Sequence, residues 1–296
     1  MKDRISADQL RETRFENSQL NALGVEIISL EQLRQKVPKQ ILAQPERVDF
    51  FMLVYVTSGE GGHWVDFVET SLCKGSLLIV RPGQVQRWQI DGSYSATIVL
   101  IDPTVLPYWG ELSSVREGGL LTLLDWQTVS QLPASLSSAI STSLTRLESD
   151  IHSFDGSELE SSLIRHESLV LMLRITRWQH SLNMNSKISG RQLTTYRLFI
   201  HELEKTFHKE HSLSFYAKRL GYSQSTISRA CSAAEGRSAK VVIDRRIALE
   251  AKRILIHTSL SVSEIGYDLG FTETTNFVKF FKRNAGTTPY QFRHRR

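Results

Sequence analysis

Ser261-Val262-Ser263-Glu264-Ile265-Gly266-Tyr267-Asp268-Leu269-Gly270-Phe271 has an earlier echo in the chain. Ser212-Leu213-Ser214 and Leu220-Gly221-Tyr222 match Ser261-Val262-Ser263 and Leu269-Gly270-Phe271 at an offset of 49 residues. Past the turn, Ile227, Arg229 and Gly236 match Phe277, Lys279 and Gly286 at an offset of 50, so one residue is gained in the turn or at the start of the next helix. In each copy a Ser precedes a short helix, where its hydroxyl can cap free N–H groups. A Gly then follows a Leu, where the chain must take a left-handed conformation that Gly adopts at low cost. An aromatic packs into the corner, and Ser223 or Thr272 restarts a helix. This is the grammar of a helix-turn-helix. The second helix points Gln224, Ser225, Ser228 and Arg229 outward in copy one, and Glu273, Thr274, Asn276 and Lys279 in copy two.

Between the copies, Ala239 to His257 reads as one helix, with Val242, Ile243, Ile247, Leu249, Ile254 and Leu255 apolar. At 1.5 Å per residue it spans about 28 Å. Successive major-groove faces of B-DNA lie about 34 Å apart. Such a rod suits two recognition helices held near one duplex turn apart.

Charge agrees with that partner. Residues 190–296 carry 19 Lys and Arg against 9 Asp and Glu, a net +10, and the rest of the chain is net −5. A basic domain on an acidic one points to a polyanion.

Outward from this domain, 183–190 is polar and aperiodic and is predicted to be a linker between 46–182 and 191–296. Residues 1–45 are mixed and polar, and are predicted to form an N-terminal arm with short structured pieces. Phe50–Thr57, ending in Ser58-Gly59-Glu60-Gly61-Gly62, is followed by the β-rich runs His63–Val68, Ser76–Val80, Gln84–Ile90 and Tyr94–Ile101. Breaks fall at Lys74-Gly75, Arg81-Pro82-Gly83 and Asp91-Gly92-Ser93. Short strands with close-spaced turn signals predict an antiparallel sandwich or barrel. Two helices with apolar stripes follow, between Ala134 and Gln179. The fold class is therefore α+β with two domains: a β-barrel or sandwich with flanking helices, then an all-α domain with two helix-turn-helix motifs joined by a linker helix.

No secretory signal or membrane-length apolar run is visible, which places the chain in the cytosol. Two cysteines, Cys73 and Cys231, fit a reducing compartment and make no zinc pattern.

The second copy and its flanks, Ala251-Lys252-Arg253-Ile254-Leu255, the opening stretch, Asn276-Phe277-Val278-Lys279-Phe280-Phe281-Lys282 and Gly286-Thr287-Thr288-Pro289-Tyr290-Gln291-Phe292-Arg293, resemble the signature of the AraC/XylS family of bacterial regulators. Gly266 stands where that family usually has Ala, at a cost of about 1 kcal/mol in a helix interior. The resemblance implies that Ser225, Ser228 and Arg229, and Glu273, Thr274, Thr275, Asn276 and Lys279, face the DNA groove. Arg or Lys can donate to guanine, Asn can pair with adenine and Glu can accept from cytosine. Ser223, Thr272, Thr287 and Thr288 suit phosphate contacts.

Lys74-Gly75-Ser76-Leu77-Leu78-Ile79-Val80-Arg81-Pro82-Gly83-Gln84-Val85-Gln86, with Gly59-Glu60-Gly61, resembles the cupin-type sensor common in that family. The resemblance implies that Arg47, Gln86 and Trp88 line a small-molecule cavity. Cupin metal sites need a His-x-His pair. Here His63 stands alone, Gln86 holds the place of a later His, and His63 is expected to hydrogen-bond at the barrel mouth. One imidazole and an amide make no firm transition-metal site. No cofactor, metal or catalytic residue is predicted. The resemblance further implies a transcription activator that responds to an effector, pairs as a homodimer and acts on RNA polymerase at double-stranded DNA. A barrel that only dimerises, and a cupin enzyme, stay as alternatives.

Overall fold

The computed structural model describes residues 11–16, 20, 23–89, 91–105, 126–183 and 190–294. Arg11–Met184 forms one compact unit, and Asn185–Arg296 belongs to another.

The first unit is a curled sheet. Its strands are β1 (Arg11–Thr13), β2 (Val25–Ser29), β3 (Glu46–Val48), β4 (Phe51–Val65), β5 (Val68–Cys73), β6 (Ser76–Val80), β7 (Val85–Trp88), β8 (Ser93–Ile101) and β9 (Val129–Gln131), with the short helices α1 (Leu30–Lys36) and α2 (Lys39–Leu42) between β2 and β3. Every pairing is antiparallel except β1 with β3.

β4 organises the sheet. Its first half pairs with β6 and β8, and its second half with β5 and β7. Its N-terminal half is apolar on both faces because both are covered. Phe51, Leu53 and Tyr55 face a core shared with helices α3 (Ala134–His152) and α4 (Glu158–Asn183), while Met52, Val54 and Val56 line the inner face. The glycine run that the sequence suggests as a turn lies inside this strand. The register shifts between Val56 and Ser58, so the strand bends there instead of ending. A Cβ on Gly61 would strike the Tyr94 ring at 2.4 Å. The glycines let a long strand cross close over its neighbours.

Residues 23–45, grouped by the sequence with an N-terminal arm, are integral to this unit. β2 pairs with β8 along its whole length, Val25 is fully buried, and Leu30 fills the inner core. The polar residues between these apolar ones hide the periodicity of such short elements.

The second unit contains, among the described residues, helices α5 (Gly190–Thr206), α6 (Leu213–Leu220), α7 (Gln224–Glu235), α8 (Ala239–His257), α9 (Val262–Asp268), α10 (Thr274–Ala285) and α11 (Pro289–Arg293). α6 with α7 and α9 with α10 are the two motifs. α8 spans the residues the sequence predicts and packs on α6 and α7 as well as α9, α10 and α11. One core runs through both motifs, from Phe199, Tyr216 and Ile227 through Ile243 and Ile247 to Ile265, Phe277 and Phe281. A chain of ion pairs runs along α8: Arg246 to Glu204 at 2.8 Å and to Glu250 at 3.1 Å, and Arg253 to Glu250 at 3.1 Å. Gly266 has a packing reason: a Cβ there would lie 3.2 Å from that of Phe277, where α9 and α10 meet.

The corners differ in one respect. Gly221 (φ +70°) and Gly270 (φ +79°) are both left-handed, but Gly221 faces open space while a Cβ on Gly270 would lie 2.8 Å from the His208 carbonyl oxygen. Gly221→Ala is therefore expected to cost about 1–2 kcal/mol, the left-handed penalty of an L-residue. Gly270→Ala costs distinctly more, because backbone atoms must also move. Thermal and urea melts followed by far-UV circular dichroism check this, and equal losses for the two would contradict it.

Candidate nucleic-acid interface and barrel interior

α7 and α10 start from different caps. Ser223 caps α7, its hydroxyl accepting from the Thr226 N–H at 3.1 Å. In copy two the residue gained falls in the turn, so Thr272 precedes the cap and Glu273 occupies it. Glu273, expected on the helix, thus lies just ahead of it. It caps through no side-chain hydrogen bond, since Glu is not among the side chains that suit this position. Its carboxylate accepts from the Thr275 hydroxyl instead.

From the caps onward the two helices are in register at an offset of 50. Ile227 and Ala230 are buried where Phe277 and Phe280 are, and Ser225 and Arg229 are exposed where Thr275 and Lys279 are. The exposed stripe continues to Ser232 and Lys282, at i, i+4 and i+7 of one helix face. Lys282 is a candidate the motif comparison passes over, although its helical spacing from Lys279 marks it. Asn276 is exposed, and Ser228 is half-buried. Thr274 is half-buried and shares a 2.8 Å hydrogen bond with Ser263.

The residues expected on phosphate are less uniform. Ser223 and Thr272 are exposed. Thr287 is buried and its hydroxyl donates to Gln291. Thr288 caps α11, accepting from the Gln291 N–H while the Gln291 side chain accepts from Thr288. These two hydroxyls are occupied in holding the C-terminal turn.

The positive charge divides into two sets. Arg246 and Arg253 are held by α5 and α8 carboxylates, Arg219 pairs with Glu202, and Lys240 and Arg283 share Asp244. Arg229, Lys279 and Lys282 make no hydrogen bond or ion pair with any described residue. The outer faces of both recognition helices thus carry cations with no described internal partner.

In the first unit, the inner face of the sheet brings Gln86 and Trp88 together with His63, directly across the strand pair. The His63 ring meets Trp88 edge-on with centroids 4.6 Å apart. Gln86 donates to Glu46, which also pairs with Arg11. Arg47 lies opposite Val85, one register position from Gln86, so strand alternation turns it to the other face. The structure thus joins two of the three residues expected around a cavity and separates the third. His63 is not at a mouth: it is fully buried, and neither ring nitrogen has a hydrogen-bond partner among the described residues. Burial pushes its pKa down from 6.5 to about 3, against a smaller opposing pull from Gln86. Among the described residues, no three His, Cys, Asp or Glu side chains converge as metal ligands, and no helix is long and apolar enough to cross a membrane.

A family profile described as an AraC-like ligand binding domain matches residues 28–166, and one described as a helix-turn-helix domain matches 216–295. The HTH-type transcriptional activator RhaS of Pectobacterium atrosepticum is 22% identical over 250 residues, covering 83% of this chain and 86% of that protein. RhaS of Escherichia coli is 23% identical over 251 residues, covering 84% and 86%. A crystal structure of ToxT from Vibrio cholerae aligns over 91% of this chain and 97% of its own, at 8% identity and a TM-score of 0.42.

The buried imidazole makes the first unit acid-sensitive. Above pH 6.5 both folded and unfolded states hold neutral His63. Between pH 6.5 and about 3 only the unfolded state takes up the proton, so stability falls as pH falls, by up to about 1.4 kcal/mol per pH unit. All five tryptophans lie in 64–178, so tryptophan fluorescence melts of the whole chain report this unit. His63→Leu is expected to flatten the profile between pH 6.5 and 5; an unchanged slope would show that other groups set it.

Proposed function

The chain belongs to the AraC/XylS family of transcription regulators, and on that premise we propose that its basic unit inserts α7 and α10 into adjacent major grooves of a specific DNA site. The observation that supports this most directly is the pair of in-register exposed stripes, with Arg229 on one and Lys279 and Lys282 on the other, free of described internal partners while Arg246 and Arg253 of α8 are paired. On this reading Thr275, Asn276 and Lys279 read base edges from α10, Ser225, Ser228 and Arg229 lie at the groove from α7, and Ser223 and Thr272 approach phosphates at the helix starts. Glu273, at the cap of α10, accepts from a cytosine amino group or excludes a phosphate.

The first unit senses a small molecule. His63, Gln86 and Trp88 lie together on its inner face, and a neutral imidazole beside an amide favours an uncharged, hydrogen-bonding effector. On this reading the protein works in the cytoplasm, catalyses no reaction and acts through RNA polymerase, as an activator like the RhaS relatives, whose name states activation of them. It does so as a homodimer. Leu159, Leu163 and Val170 are 82%, 50% and 41% exposed on α4, at helical spacing that puts them on one stripe. A second α4 would cover them.

Two experiments test these statements. Lys279→Ala should cost about 1–3 kcal/mol in affinity for a selected operator and relax preference at one base pair; undiminished affinity and preference would remove α10 from the groove. Leu163→Asp should shift sedimentation from dimer to monomer at micromolar concentration while changing stability by less than about 0.5 kcal/mol, as expected of an exposed site. A dimer unaffected by this change would place the subunit contact elsewhere.

A further inference from the structure

Arg191 is not among the residues expected at DNA, yet it shares a groove with one that is. A cavity of about 380 Å³ lies between the start of α5 and one flank of α7, lined by Arg191, Gln192, Thr195, Thr226, Arg229 and Ala230. Two of these are guanidinium groups and none is an acid. Neither the Arg191 nor the Arg229 guanidinium makes a hydrogen bond or ion pair with any described residue. Two like charges facing one groove repel, and no described residue offsets them with an ion pair.

The flank of α10 is built differently. There α8 supplies Asp244, which pairs with Lys240 at 2.8 Å and with Arg283 at 3.6 Å. That flank carries its own counter-charge. Among the described residues, the flank of α7 has no such counter-charge.

Helical geometry says where the groove faces. Thr226, Arg229 and Ala230 stand at i, i+3 and i+4, on one side of α7. Arg229 lies about 40° round the helix from Ser225 on the outer face, at the edge toward α5. A helix of about 10–12 Å diameter nearly fills a major groove about 12 Å wide. When its outer face meets the base edges, its flanks meet the groove walls, and the walls are phosphates.

We propose that a backbone phosphate of the bound duplex occupies the groove between α5 and α7, held by Arg191 and Arg229 together. This rests on the DNA-binding function given above and adds to it a contact from α5, outside both helix-turn-helix motifs. It also assigns Arg229 to the groove wall and not to a guanine edge.

The test uses the full chain and two probes: a duplex selected by this protein from a random library, and an unrelated duplex of the same length. Arg191→Gln and Arg229→Gln are each measured across a salt series, with Lys279→Ala as the base-reading comparison. The expected result is a loss of about 3–10-fold for Arg191→Gln on both probes alike, with the slope of log affinity against log salt falling in magnitude by about 1. Arg229→Gln behaves in the same way. The melting temperature of Arg191→Gln stays at the wild-type value, because an exposed side chain without internal partners is removed. Unchanged affinity and slope for Arg191→Gln, with Lys279→Ala still impaired, would overturn the phosphate site and leave the DNA-binding function standing. A loss confined to the selected duplex for either arginine would overturn it as well, since a phosphate contact carries no sequence information. Failure of the wild-type chain to enrich or bind any duplex would instead overturn the underlying function.

Discussion

Helix α8 is packed by both motifs at once, and the rest of the basic unit depends on that sharing. Ala239, Val242, Ile243, Ile247, Ala248, Ala251 and Leu255 are buried along it, and among the described residues one core serves both helix-turn-helix motifs. Interiors are close-packed and resist continuous deformation. Changing the spacing of α7 and α10 would require opening this core, so the pair moves as one body. The ion pairs from Arg246 and Arg253 reinforce the point. They lie among groups that are mostly out of water, where breaking one partner away costs far more than losing a surface pair.

Much of this was legible before any coordinates. The ends of α8 follow from a Ser at the cap, an uninterrupted apolar pattern and the polar turn before Ser261, and each of those signals acts locally. The two motifs were legible for the same reason, since each capping Ser and each left-handed Gly marks a position the backbone itself requires. Local signals also explain what was misread. The offset of 50 could be satisfied by a residue gained in the turn or in the helix, and only the cap geometry at Glu273 separates the two. Glycines 59, 61 and 62 signal a turn when read alone. They serve a strand because distant groups lie against them: the Ser93 carbonyl at Gly59, the Tyr94 ring at Gly61 and the Gln89 side chain at Gly62.

The sensor unit shows where tertiary context overrides local pattern. His63 reads as a polar residue for a barrel rim, but β4 crosses into the interior at that point and carries the imidazole with it. The protein tolerates an imidazole without a described hydrogen-bond partner by keeping it neutral. Arg47 and Gln86 look equivalent in sequence, and a single step of strand alternation puts them on opposite faces. Register is not visible from one strand alone, because its partner decides it.

The repeat also has a consequence for symmetry. The two motifs follow one another head to tail in one chain, so no two-fold axis relates them. A dyad-related pair of helices meets a palindrome, whereas a tandem pair meets two unlike half-sites in a fixed order. Ser225 and Ser228 on one helix against Thr275, Asn276 and Lys279 on the other make the two reading faces chemically distinct as well. With both helices bound as proposed, one chain has a polarity on the duplex: it points upstream or downstream, and inverting its site reverses what lies in front of it.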